Sequence, residues 1–162
     1  MKRIILHWTA GKYKPNNIDL EHYHYLVDDC GQVFKGVFDV RDNENCSDGC
    51  YAKHTGGGNT GSIGVALCAM YGYESALNVG AFPITKVQLE KTFRLCAELI
   101  KKYNILLGPE TLMTHYEFGQ KHPHSSSATK IDITYLPPYP NVFKDEVGAF
   151  IRAKVRWYLE RI

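Results

Sequence analysis

Four residues from three separate parts of the chain have the chemistry to build one hydrolytic centre. His7 ends the apolar run RIILHW, His115 lies in MTHYEFG, and Lys130 and Asp132 stand two apart in TKIDIT. Two imidazoles and one carboxylate make a suitable ligand set for Zn²⁺ and leave a fourth tetrahedral position open for water, which is the arrangement of catalytic zinc. Such an ion lowers the pKa of its water to about 7 and polarises a carbonyl beside it. Amide hydrolysis also needs a stabilised oxyanion, and Lys130 is the cation at hand. A phenol or carboxylate must handle the proton or position the water, and Tyr23 is the candidate.

The elements around these residues must bring them together. RIILHW reads as a short buried strand, whose end can project His7 from the rim of a sheet toward a cleft. In TKIDIT, a β-favouring segment, alternate side chains point the same way, so Lys130 and Asp132 are expected to face one site. HYHYLVDD alternates as a strand with Tyr23, Tyr25 and Val27 on one side and His22, His24 and Leu26 on the other, and Asp29-Cys30-Gly31 turns it into QVFKGV as a hairpin. The polar KYKPNNIDLE before it reads as a connection. RDNENCSDGCYAKHTGGGNTG has no period and reads as a long surface loop, followed by SIGVALCAM as a central strand, apolar on both faces.

Two helices follow. TKVQLEKTFRLCAELIKKYN opens with a capping box, Thr85 and Gln88, and repeats Leu89, Phe93, Cys96, Ile100 and Tyr103 at helical spacing. A second helix over about 144–161 buries Val147, Ile151, Val155 and Tyr158 and shows Arg152, Lys154 and Arg156 to water. This order predicts an α/β fold, a mixed central sheet covered by helices, with residues 1–162 as one domain.

Other sites compete on spacing. His22 with His24, and His122 with His124, stand at i, i+2 as alternative ligand pairs or as plain solvated or hydrogen-bonded histidines. There is no H-E-x-x-H. HTGGGNTGS lacks the Gly-Lys-Ser/Thr ending of a phosphate loop; it reads as a substrate-contacting loop in which His54, Asn59 and Thr60 offer hydrogen bonds to a sugar or peptide, or as a surface turn. Of five cysteines, Cys46 and Cys50 can pair or share a metal, but the odd number and irregular spacing favour free thiols.

Composition narrows the class. A hydrophobic fraction of 44% with 12% aromatics is that of an ordinary globular protein. Nineteen basic against seventeen acidic residues leave +2, which gives no footprint for nucleic acid. No run approaches the ~18 apolar residues of a membrane span, and MKRIILHWTAG has too short an apolar stretch for a signal peptide. Synthesis in the cytoplasm is expected, with something else releasing the protein if it acts outside.

The segments IILHWTAG, HYHYLVDDCGQVFKGV, HTGGGNTGSIGVAL, MTHYEFG and TKID, in that order, resemble the zinc-dependent N-acetylmuramoyl-L-alanine amidases, a family that includes phage T7-type lysozymes, recycling amidases and peptidoglycan recognition proteins. The resemblance covers about residues 3–135. It implies zinc ligands at His7, His115 and Asp132, with Lys130 beside them. Recycling-type members carry a glutamate where SIGVAL has Ala66, whereas phage-type members place a tyrosine in the second strand, as HYHYL does with Tyr23; the water-handling role therefore falls to Tyr23. HPHSSSATKIDIT replaces the family's usual loop. The resemblance implies a monomeric endolysin that cleaves the amide between N-acetylmuramic acid and L-alanine in peptidoglycan, reaching the wall through a membrane hole made by a holin-type partner. Alternatives are a cytoplasmic amidase that recycles muropeptides, a secreted antibacterial effector, and a non-catalytic peptidoglycan-binding module.

Overall fold

The alternation of the first strand decides the architecture. In a computed structural model, which describes residues 1–162, β1 (Arg3–Trp8) sends Ile4, Leu6 and Trp8 into the main core and Ile5 and His7 to the opposite face. It lies between β4 (Ser62–Leu67) and β5 (Leu112–Thr114), parallel to both, with His7 opposite Ala66 and Leu6 opposite Thr114. β2 (Tyr25–Val27) adds to β4 in parallel, and β3 (Val33–Lys35) closes the other edge antiparallel to β2. The order is β3-β2-β4-β1-β5, a mixed sheet as the sequence predicts.

One face is covered by α2 (Lys86–Lys102) and α4 (Val147–Leu159), packed on each other as well as on the sheet. Thr85 caps α2 reciprocally with Gln88, as expected, and Gln88 goes further: its Nε2 donates to the carbonyls of Val27 and Cys68 at 2.8 and 3.1 Å, tying the helix start to the strand ends. The buried stripe of α2 is wider than the predicted one, adding Leu95 and Leu99, because α4 covers a second flank. The other face carries α1 (Asn17–His22), α3 (His115–Lys121) and most of the loops 41–61 and 122–132, whose flanking residues Val40 and Ile133 join the main core.

Several expectations are corrected. The KYKPNNIDLE segment is not a plain connection: it holds α1, a six-residue helix with an Asn16–Asp19 capping box and no buried residue, hence no apolar period to detect. Tyr23 is the residue that ends α1, ahead of β2, and it packs with Leu26 and Leu20, while Tyr25 and Val27 join the main core. TKIDIT is no strand. No free sheet edge receives it, and Ile133 at φ 65° reverses the chain. The 41–61 loop is not wholly at the surface either; buried Asn43 pins it through Ala52 and the Asn59 carbonyl. Arg152 turns inward instead of to water, and Tyr158 is half-buried, its hydroxyl on Glu90.

Candidate metal centre and cleft

His7 reaches the second face at the carboxyl end of β1, and the neighbouring strand end delivers His115 as the first residue of α3. Thr114 is the N-cap of that helix and Glu117 completes its capping box, so the backbone turn that aims His115 is fixed from both sides. Asp132 comes from the turn after the long loop. His7 Nδ1 lies 3.0 Å from His115 Nδ1 and 3.0 Å from Asp132 Oδ2, and the third edge of the triangle is 3.1 Å. All three side chains are buried. A tetrahedral ion bonded at about 2.0 Å holds its ligands roughly 3.3 Å apart. The donor triangle matches that to within a few tenths of an ångström, so these residues fit a metal ion.

The protonation states agree with such a role. Burial pulls His7 down to about 4 in spite of its bond to Asp132, leaving the imidazole neutral with a lone pair to give. Burial alone would raise Asp132, but the hydrogen bonds to His115 and His7 outweigh it and hold the carboxyl well below the usual carboxylate range. Behind the donors lies a second layer. His7 Nε2 is 3.2 Å from His54 Nδ1 and 3.3 Å from Thr55 Oγ1, and His115 Nε2 is 2.9 Å from Ser127 Oγ, which donates to the Gly56 carbonyl at 2.7 Å. Such partners fix which ring nitrogen faces the ion. His54 is itself kept neutral by burial and by its histidine neighbours. Its ring occupies the space a side chain at position 64 would take: a Cβ on Gly64 would stand 2.5 Å from His54 Cγ.

Two corners of the triangle, His115 and Asp132, line a cleft of about 500 Å³ together with Tyr23, Lys53, His54 and Lys130, among others, and His7 lies fully buried beneath it. Tyr23 leans on His7 with ring centroids 5.1 Å apart; burial first, then the Asp132 charge, push its phenol far above 10, so it stays protonated and keeps a proton to donate. Lys130 is exposed at the rim. The structure therefore brings His7, His115, Asp132, Tyr23 and Lys130 together, Lys130 and Asp132 by a turn and not by a strand's pleat.

The predicted substrate contacts divide. His54 is buried behind His7 and also lines the cleft, whereas Asn59 and Thr60 precede β4, at the amino end of the strands. Ser62 lies four residue steps along the strand from Ala66, about 13 Å, so Asn59 and Thr60 lie away from the cleft; Asn59 Oδ1 instead accepts from Thr55 N at 2.8 Å. The competing histidine pairs come apart: His24 is a core residue between Asn43 and the Gly64 amide, His122 stacks on Phe118, and His22 and His124 are exposed. Cys46 and Cys50 are free thiols. Ser127 and Thr55 escaped the sequence reading, since nothing in SSSAT sets one serine above its neighbours; only His54 beside Thr55 was a signal.

Residues 1–132 match the sequence model of N-acetylmuramoyl-L-alanine amidase, a stretch that ends on Asp132 and contains all three donors. The chain belongs to the N-acetylmuramoyl-L-alanine amidase family. Its fold is shared with a Staphylococcus aureus hydrolase, AmiA, solved with its ligand (TM-score 0.60, 16% identity, 99% of this chain and 76% of that one). It is shared too with PlyL, solved as its E90A mutant (0.55, 24%, 96% and 84%). AmiD of E. coli, solved with anhydro-N-acetylmuramic acid-L-Ala-D-gamma-Glu-L-Lys, has TM-score 0.53 and 19% identity over 82% of this chain and 52% of that one. No curated protein is significantly similar in sequence. For an amidase of this family, the donor triangle is the feature around which the cleft is organised, and α4 lies outside the matched stretch. No helix is long and apolar enough to cross a membrane.

Proposed function

We propose that this amidase is zinc-dependent, that residues 1–162 form one catalytic domain, and that it hydrolyses the amide between N-acetylmuramic acid and L-alanine in peptidoglycan as an endolysin. The observation that carries the reading is the convergence of His7 Nδ1, His115 Nδ1 and Asp132 Oδ2 within 3.1 Å, beside a cleft that His115 and Asp132 line, in a chain of this family.

Zinc held by these three residues supplies a Lewis acid that acidifies water and polarises a carbonyl oxygen. The chain's own groups do the rest. His54 and Thr55 behind His7, and Ser127 behind His115, hold the two imidazoles in one orientation, so the donors need no reorganisation when substrate arrives. The Lys130 ammonium, at the cleft rim, offsets the negative charge that develops on the scissile carbonyl oxygen. Tyr23 keeps its proton and donates a hydrogen bond that orients the attacking water.

Ala66 bears on the recycling alternative. It is fully buried opposite His7 in the apolar cluster with Leu26 and Cys68, and an alanine there offers no carboxylate to handle the water, so that role is left to Tyr23. The complete donor set argues against a non-catalytic binding module. As an endolysin the protein would act as a monomer on the wall, after synthesis in the cytoplasm and release through a holin-type partner. Digestion of purified sacculi with and without chelator tests the reading. Peptides with free N-terminal alanine, released from intact glycan, lost with chelator and restored by Zn²⁺, are expected; binding without cleavage, or cleavage within the glycan, would refute it.

A further inference from the structure

The helix beyond the family's matched stretch holds on to the centre. Arg152 of α4 spans both oxygens of Glu117, Nη1 to Oε2 and Nη2 to Oε1 at 3.0 Å each, and its Nη1 also donates to the Leu112 carbonyl at the start of β5, at 2.9 Å. Glu117 Oε2 accepts as well from the Thr114 amide at 3.0 Å, and Thr114 Oγ1 accepts from the Glu117 amide at 3.1 Å. Between Thr114 and Glu117 stands His115.

The contact crosses the sheet. α4 belongs to the core face with α2, whereas α3 packs by Phe118 against Ile5 and Met113 on the other face, and β5 is the edge strand between them. Arg152 therefore reaches round the edge to grip the first turn of α3. Gly148 makes the approach possible, since a Cβ there would stand 2.0 Å from Glu117 Oε1. A bidentate guanidinium–carboxylate pair is both stronger and more directional than a point charge. Its two members retain only 15% and 23% of their side-chain exposure, so solvent screens it incompletely.

We propose that Glu117 and Arg152 are a positioning pair for His115, which makes the C-terminal helix part of the framework of the metal centre. The proposal rests on the reading of His115 as a metal ligand. Through the capping box the carboxylate fixes the φ and ψ of the turn that aims the imidazole, and through Arg152 that turn is referred to the main core. His7, on a central strand, needs no such strut because ladder partners on both sides already hold it.

The test compares the full chain with Arg152→Met, Arg152→Lys, Glu117→Gln and Val155→Ala. The last removes core volume from the same helix and leaves the pair intact. Zn²⁺ affinity is read by competition with a chromophoric chelator, and the ring ¹⁵N resonances of His115 and His7 are followed in chelated protein. Arg152→Met and Glu117→Gln are expected to weaken Zn²⁺ binding about 10–100-fold and to shift His115 but not His7, with Arg152→Lys intermediate. Val155→Ala is expected to lower the melting temperature and leave affinity within about twofold of the parent. Unchanged affinity in Arg152→Met, or an equal loss in Val155→Ala, would overturn the proposal. If the parent takes up no Zn²⁺ while His115 still shifts in Arg152→Met, the positioning stands and the zinc reading of the site falls.

Discussion

His54 Nδ1 lies 3.2 Å from His7 Nε2, so the first-strand imidazole faces the donor triangle with one nitrogen and a buried histidine with the other. The buried histidine backs a candidate ligand, and its replacement should be felt at the proposed metal site before it is felt at the substrate.

His54→Ala is accordingly expected to lower metal affinity about 10–100-fold, with KM of the metal-saturated enzyme unchanged. Chelator competition and steady-state kinetics check both halves. A raised KM with normal metal affinity would return His54 to the role of a substrate contact.

Tyr23 is held protonated by burial and by the Asp132 charge. Tyr23→Phe should lower kcat about 100- to 1,000-fold, the cost of losing one oriented donor, and leave metal affinity near that of the parent. Because the phenol does not ionise in the working range, the limbs of the pH–rate profile should keep their positions in Tyr23→Phe; a lost limb would show that it titrates during turnover.

A metal that binds only the folded chain adds RT ln(1 + [L]/Kd) to its stability, about 2.7 kcal/mol at a hundredfold excess over Kd. For a chain of this size chelation should then lower the melting temperature by roughly 5–10 °C with the strand signal retained below the transition. Asp132→Ala should melt at one temperature with or without Zn²⁺. Calorimetry of both proteins in both conditions decides it.

His24 offers a pH test away from the donors. Burial takes it down to about 4, while Asn43 partly opposes that, against 6.5 for the unfolded group. Between those values the unfolded chain binds the extra proton, so stability is complete above about 6.5 and falls as the pH drops toward 4. The share due to His24 is on the order of 3 kcal/mol. Urea unfolding of chelated protein from pH 7 to 4 should show the decline, and His24→Gln should make it shallower by that share, leaving the part due to buried His7 and His54; an equal decline in the variant would assign it elsewhere.

What was legible in the sequence is local. The capping box and apolar repeat of α2 report burial along a single helix, and RIILHW, SIGVAL and the hairpin report strands for the same reason. Residue chemistry singled out His7, His115, Lys130 and Asp132, because few side chains can bind a cation or offset an oxyanion. Short elements without a buried stripe were illegible: α1 hides in polar residues, and TKIDIT has strand propensity but finds no edge to pair with.

Only the tertiary structure decided who meets whom. His7 touches His115 across 108 positions and Asp132 across 125, distances closed by the order β4-β1-β5 and not by any local preference. The same order put His54 behind His7 while leaving Asn59 and Thr60 at the far end of the strands, and it folded Arg152 round the sheet edge onto Glu117. A sequence pattern records how far each residue is buried; which two buried residues share a hydrogen bond depends on strand pairing, and that is a property of the assembled sheet.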